Sequence, residues 1–176
     1  MRRCMLIRDA RDSDLPAITA IYAHWVTHGR ASFELDPPDL AEMTRRRATV
    51  QAGGYPYLVA EHAGQVLGYA YASLYRARPA YRFTVENSVY VRPGEARQGA
   101  GRALLDELVT RCTASGFRLM IAVIGDSANT ASIRLHGAAG FQHAGLLPGT
   151  GWKHGQWVDT VLMTRELGAG RGTPPG

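Results

Sequence analysis

Val89-Tyr90-Val91-Arg92-Pro93-Gly94-Glu95-Ala96-Arg97-Gln98-Gly99-Ala100-Gly101-Arg102 is the stretch on which the reading of the whole chain turns. Apolar residues stop at the turn dipeptide Pro93-Gly94, and a glycine-rich turn follows. Leu104, Leu105, Leu108, Val109 and Cys112 then recur at helical spacing as far as Gly116. A strand therefore runs through a turn directly into an amphipathic helix. Glycines there let backbone N–H groups approach a ligand, and the unpaired N–H groups of a first helical turn suit an anion. The helix dipole adds about 0.3–1 kcal/mol. Arg97 and Arg102 can supply charge-assisted hydrogen bonds to phosphate. A lone Gly-x-Gly also serves turns that bind nothing. The dinucleotide fingerprint would need glycine where Leu104 stands, and a P-loop would end in Gly-Lys-Ser/Thr.

Outward from this stretch, Thr84–Val91 forms the strand before the turn, and Leu119–Ile124 is a continuous apolar run expected of a strand buried on both faces. Tyr57–Glu61 and Val66–Leu74 flank His62-Ala63-Gly64-Gln65 as a hairpin. Cys4–Arg8 reads as a first strand. Asp12 or Ser13 can cap a helix with Pro16 in its first turn and Leu15, Ile18, Ile21, Tyr22 and Trp25 on one face. A second helix spans Asp39 to Ala52. Asn129 can cap another that reaches Ala139 and stops at Gly140, and His143–Leu147 and Gln156–Arg165 close the chain as strands. The order β-α-α-β-β-β-α-β-α-β-β predicts an α/β protein, a mixed sheet with helices on both faces. One domain over residues 1–167 accounts for all of it, with the glycine- and proline-rich residues 168–176 expected to be a disordered tail.

The 176 residues, 45% apolar, suit a folded protein with a sizeable core. No run approaches the roughly 18–20 apolar residues of a membrane span. The basic start Met1-Arg2-Arg3 precedes an apolar stretch too short for a signal peptide, so a cytoplasmic protein is expected. Cys4 and Cys112 show no metal or redox spacing, and no metal is expected. The net charge is +5, and Lys153 is the sole lysine among 20 basic residues. Such a balance suits nucleic acid or a phosphate-rich cofactor equally. The dense run Arg45-Arg46-Arg47 lacks interleaved aromatics and reads as a solvated helix face, so no nucleic-acid partner is expected.

The run Val89–Arg102 resembles the pyrophosphate-binding motif of GNAT acetyltransferases, Gln/Arg-x-x-Gly-x-Gly/Ala, with Ala96 departing from its first position. The likeness extends from about Met5 to Leu167. It is similar in particular to the phosphinothricin and methionine sulfoximine acetyltransferase subgroup, through Arg76-Ala77-Arg78-Pro79-Ala80-Tyr81, Thr84–Val91, Ala122-Val123-Ile124-Gly125 and Lys153-His154-Gly155-Gln156-Trp157-Val158-Asp159. The resemblance implies the GNAT fold, a six- to seven-stranded mixed sheet flanked by about four helices. It implies acetyl-coenzyme A as co-substrate, a small amino acid analogue as acceptor, and a homodimer. Carried over by position, Val89, Tyr90, Val91, Arg97, Gln98, Gly99, Ala100, Gly101, Arg102 and Asn129 would hold the coenzyme. Glu86 would be the general base, and His136 the proton donor to the departing thiolate. Phe33, Arg76, Arg78 and Tyr81, with Glu86, would bind the acceptor. Lys153 and Trp157 match the C-terminal signature, where sheet packing or a dimer contact explains them equally.

Ordinary acidities test these roles. Proton transfer from an α-amine to a glutamate is uphill by about 3.5 units, roughly 4.8 kcal/mol, against roughly 8 kcal/mol from a lysine ε-amine. Imidazolium to thiolate is downhill by about 2 units. The comparison disfavours lysine side chains as acceptors, and Arg76 and Arg78 would repel a polyamine. An acceptor bearing an anionic group fits two arginines better. The other readings are a protein N-terminus as acceptor and a non-enzymatic acyl-coenzyme A sensor, which would need neither Glu86 nor His136.

Overall fold

A computed structural model describes residues 5–175; Cys4 lies outside them. The element order is β1 (Leu6–Asp9), α1 (Leu15–His28), α2 (Leu40–Ala52), β2 (Tyr57–His62), β3 (Gln65–Leu74), β4 (Thr84–Val91), α3 (Ala100–Ala114), β5 (Leu119–Gly125), α4 (Thr130–Ala138), β6 (Gln142–Lys153) and β7 (Gln156–Glu166). Short 3-10 turns occupy Asp12–Asp14 and Pro79–Tyr81. The strands form one seven-stranded sheet in the order β1-β2-β3-β4-β5-β7-β6. All neighbours are antiparallel except β4 and β5, which α3 connects as a parallel pair. Among the described residues, the seven-stranded sheet and four α-helices match the expected architecture.

Strand alternation divides the core in two. Leu58 and Ala60 of β2 face α3, where they pack with Leu104, Leu105, Leu108, Val85, Met120 and Ala122. Tyr57 and Val59, one residue out of phase, face α1 and α2 and pack with Ile18, Ile21, Val26 and Met43. Cys112 is buried in the α3 core, and burial pushes its thiol up to about 12, so it is an inert filler.

The local signals differ from expectation at two places. Asp12 and Ser13 belong to a 3-10 turn and do not cap α1. The N-cap is Asp14, whose carboxylate instead accepts from the Arg8 guanidinium at 2.7 and 2.9 Å and from the Arg11 N–H at 2.7 Å. The arginine run on α2 is not wholly a solvated face. Arg46 binds Glu34 and Glu42, and Arg47 is buried, donating to Asp12 and to the Ala10 carbonyl. Residues 168–175 carry turns and bends beside Arg118. There Arg118 donates to the Gly170 and Pro174 carbonyls and to the Thr173 hydroxyl. Asp39, by contrast, caps α2 by accepting from the Glu42 N–H at 2.8 Å. Among the described residues no helix is long and apolar enough to cross a membrane.

Leu108 is fully buried at the centre of the α3 face. Leu108→Ala should lower the unfolding free energy by about 2–5 kcal/mol, measured by chemical denaturation.

Candidate active site

β4 and β5 pair only from Thr84↔Leu119 to Asn87↔Ala122. Both strands continue, β4 to Val91 and β5 to Gly125, without pairing to each other. β3 still covers the other edge of β4 as far as Val91, and β7 that of β5 as far as Gly125. The sheet therefore opens between its two parallel strands, exposing main-chain groups that a neighbouring strand would otherwise satisfy. A cleft of about 260 Å³ lies at the opening, lined among others by Phe33, Glu86, Val89, Tyr90, Asn129 and His136.

Glu86 and His136 approach this cleft from opposite sides of the sheet. Asn87, the residue after Glu86, points to the α4 side, where its Oδ1 lies 3.0 Å from His136 Nε2. Successive strand residues face opposite ways, so Glu86 points to the side of α1 and α2. Burial raises the Glu86 pKa above the ordinary carboxylate value, and Arg76 partly offsets this. His136 is buried, and burial lowers its pKa while the Ser132 carbonyl, 2.9 Å from Nδ1, favours the charged form. The Asn87 amide nitrogen donates to the Ile121 carbonyl at 3.3 Å, so its oxygen is the atom turned to the imidazole. Nε2 is therefore a donor. When Nδ1 loses its proton, the Ser132 hydroxyl, 3.4 Å away, can donate to it.

The opening leads toward the glycine-rich turn. Gly99, at φ 92°, is the N-cap of α3 and brings no capping side chain, which leaves the first-turn N–H groups available. A Cβ there would meet nothing, so this glycine is required for its left-handed backbone rather than for space. Arg97 is exposed beside it. The arrangement can take an extended, amide-bearing chain in the strand gap and an anion at the helix end.

The sequence pattern of the Acetyltransferase (GNAT) family matches residues 18–141. The chain belongs to the GNAT family. It is an acetyl-coenzyme A-dependent N-acetyltransferase. It is 56% identical to a phosphinothricin N-acetyltransferase from Alcaligenes faecalis, covering 99% of this chain and 89% of that one. It is 43% identical to an L-methionine sulfoximine/L-methionine sulfone acetyltransferase from Pseudomonas aeruginosa, covering 96% and 98%. The crystal structure of a GNAT superfamily phosphinothricin acetyltransferase from Sinorhizobium meliloti in complex with acetyl-coenzyme A superposes with a TM-score of 0.95 at 51% identity, covering 100% of this chain and 94% of that one.

Against this GNAT frame, the residues expected at the site separate into groups. Phe33, Glu86, Val89, Tyr90, Asn129 and His136 meet at the cleft. Asn129 also caps α4, accepting from the Ser132 N–H at 3.2 Å. Arg97, Gln98 and Gly99 lie exposed on the turn. Val91 is beyond the cleft, and its carbonyl accepts from Trp25 Nε1 at 2.8 Å. Ala100 and Gly101 are buried, and a Cβ on Gly101 would come within 3.3 Å of both Val91 and Leu135, so that glycine lets α3 pack closely. Arg102 donates to the Asp106 carboxylate at 2.6 Å and to the Ala138 carbonyl at 2.6 Å. Arg76, Arg78 and Tyr81 lie exposed on the β3–β4 connection. Arg76 stacks over Tyr75 and is near enough to Glu86 to act on its pKa, while Arg78 and Tyr81 do not line the cleft.

Asn87 and Ser132 escaped the sequence reading. The structure supplies what the residue type does not mark: burial along β4 alternates over its first four residues, and Asn87 falls on the buried phase beside Val85. A buried amide needs partners. Replacing Asn87 with Leu removes an acceptor that favours the imidazolium, so the His136 pKa should fall further, as read by ring-carbon NMR titration. Stability should drop by about 1–3 kcal/mol through unpaired buried groups.

Proposed function

We propose that the acceptor is the amine of a small amino acid analogue of the phosphinothricin, methionine sulfoximine or methionine sulfone type. Glu86 is the base and His136 the acid. The observation that carries this reading is the opening between β4 and β5, with a carboxylate on one side of the sheet and an imidazole on the other. Two relatives act, by name, on such analogues. Arg76 supplies a cationic donor near Glu86 for the acceptor's anionic group, and Arg78 follows it on the same exposed connection.

Acetyl-coenzyme A supplies the acetyl group as an activated thioester. The unpaired main-chain groups of β4 hold its amide-bearing arm, and the turn around Arg97–Gly99 with the α3 N-terminus holds its diphosphate. On the α1 and α2 side, Glu86 takes the proton that the attacking amine must lose. Its raised pKa narrows the gap to the amine. On the α4 side the carbon–sulfur bond breaks and the electron pair leaves with sulfur. His136 delivers a proton to that thiolate, with the Ser132 hydroxyl beside Nδ1 as relay. Burial makes the imidazolium a stronger acid and reduces its population.

We further propose a homodimer through the β6 edge. Trp152 and Trp157 face each other in register, 5.2 Å apart and 58% and 67% exposed, with Leu146 and Leu147 also exposed on β6. An exposed apolar edge of this kind favours a second chain.

Thiol release from acetyl-coenzyme A across amino acids, their sulfone and phosphinate analogues, polyamines and aminoglycosides tests the acceptor class; turnover confined to polyamines would overturn it. Glu86→Gln should cut kcat by about 10²–10³-fold with the acetyl-coenzyme A KM unchanged. Arg76→Ala removes a positive charge that lowers the Glu86 pKa, so the acid limb of kcat/KM should move to higher pH. Trp157→Asp should shift the protein to monomer in light scattering.

A further inference from the structure

The chain's one lysine is buried. Lys153, 3% exposed at the end of β6, extends Nζ to the Ser32 carbonyl at 2.7 Å. The hairpin that carries it meets the same segment twice more. His154 Nε2 lies 3.2 Å from the Gly29 carbonyl, and Gly151 lies so close under the Phe33 ring that a Cβ would come within 2.9 Å of it. From the opposite side the Tyr22 hydroxyl bonds Ser32 Oγ at 2.9 Å and also Glu34, which Arg46 holds at 2.6 Å. Ala31, Ser32 and Phe33 form one wall of the cleft.

Packing alone does not call for an ammonium here, since methionine or leucine would fill the volume without a desolvation cost. Burial does pull the lysine pKa down, while Glu34 favours the charged form. A buried donor aimed at one carbonyl fixes where that carbonyl sits, and with it the neighbouring side chain. Gly151 supplies the matching space: the hairpin positions the loop through Lys153 and seats the ring through a missing Cβ.

We propose that Lys153 is a positioning residue for the acceptor, its bond to the Ser32 carbonyl setting the depth at which Phe33 walls the cleft beside Glu86. This rests on the reading that the acceptor enters on the Phe33–Glu86 side. Lys153 touches no reacting atom. Its loss acts on acceptor recognition and leaves the strand gap and the α3 turn as they are.

The test is Lys153→Met, assayed with an amino acid sulfone and with acetyl-coenzyme A varied in turn. The acceptor KM should rise about tenfold, the weight of one charge-assisted hydrogen bond, while the acetyl-coenzyme A KM moves less than about twofold. Amide hydrogen exchange across residues 29–34 should speed up, with the α3 amides unchanged. Equal rises in both KM values, or unchanged exchange across 29–34, overturns the proposal. Gly151→Ala tests it without touching the lysine, because the added methyl displaces the Phe33 ring. The same KM split is expected, and an unaltered acceptor KM sinks the idea even if Lys153→Met fails to fold. Should the wild-type protein acetylate no amino acid analogue, the acceptor reading fails, while the exchange measurement still judges whether Lys153 holds the loop.

Discussion

Two parallel strands that pair for four residues and then part leave backbone donors and acceptors facing each other across a gap too wide to bridge. Such groups are costly to leave dry, so the gap must hold water or an amide-bearing ligand. The rest of the site follows from that constraint. Because β3 and β7 secure the outer edges of β4 and β5, the gap cannot be relieved by either strand drifting away. Because α3 connects the two strands and packs beneath them, its N-terminus is carried to the far end of the opening. Alternation along β4 then assigns Glu86 to one side and Asn87, with its histidine, to the other.

Much of the fold was legible in the residues. The strand–turn–helix at Val89–Arg102, the apolar run at Leu119 and the cap at Asn129 each announce an element by local chemistry. The parting of β4 from β5 was not legible, because nothing in either strand's composition records where its neighbour stops pairing. The length of β6 was hidden too. Gly145, Pro148, Gly149 and Gly151 look like turn residues, yet they sit within a long strand whose register against β7 shifts twice. Gly101 and Arg102 show the same limit at the site. A glycine that admits a ligand and one that admits a neighbouring helix are spelled alike, and an arginine does not reveal which oxygen it will find.

The two walls of the cleft are built differently. The Glu86 wall is a central strand, paired at Glu86 to β3 on one edge and to β5 on the other, and rigid by construction. The Phe33 wall is a loop without regular structure, held by Lys153 and His154 from one side and by Tyr22 and Arg46 from the other. Two partners on each flank, on elements distant in sequence, take the place of a sheet ladder. That division assigns the invariant chemistry to the strand and leaves the shape of the acceptor space to a few side chains.

Burying the only lysine also alters what this protein presents to its own reagent. An acyl thioester in solution reacts slowly with any neutral primary amine that it meets. Across the surface of this chain the cationic side chains in solvent are arginines, whose guanidinium stays protonated and poorly nucleophilic. With Lys153 3% exposed, no ε-amino group stands in water to be modified without catalysis. An amine-directed label would accordingly find no exposed ε-amino group among the described residues.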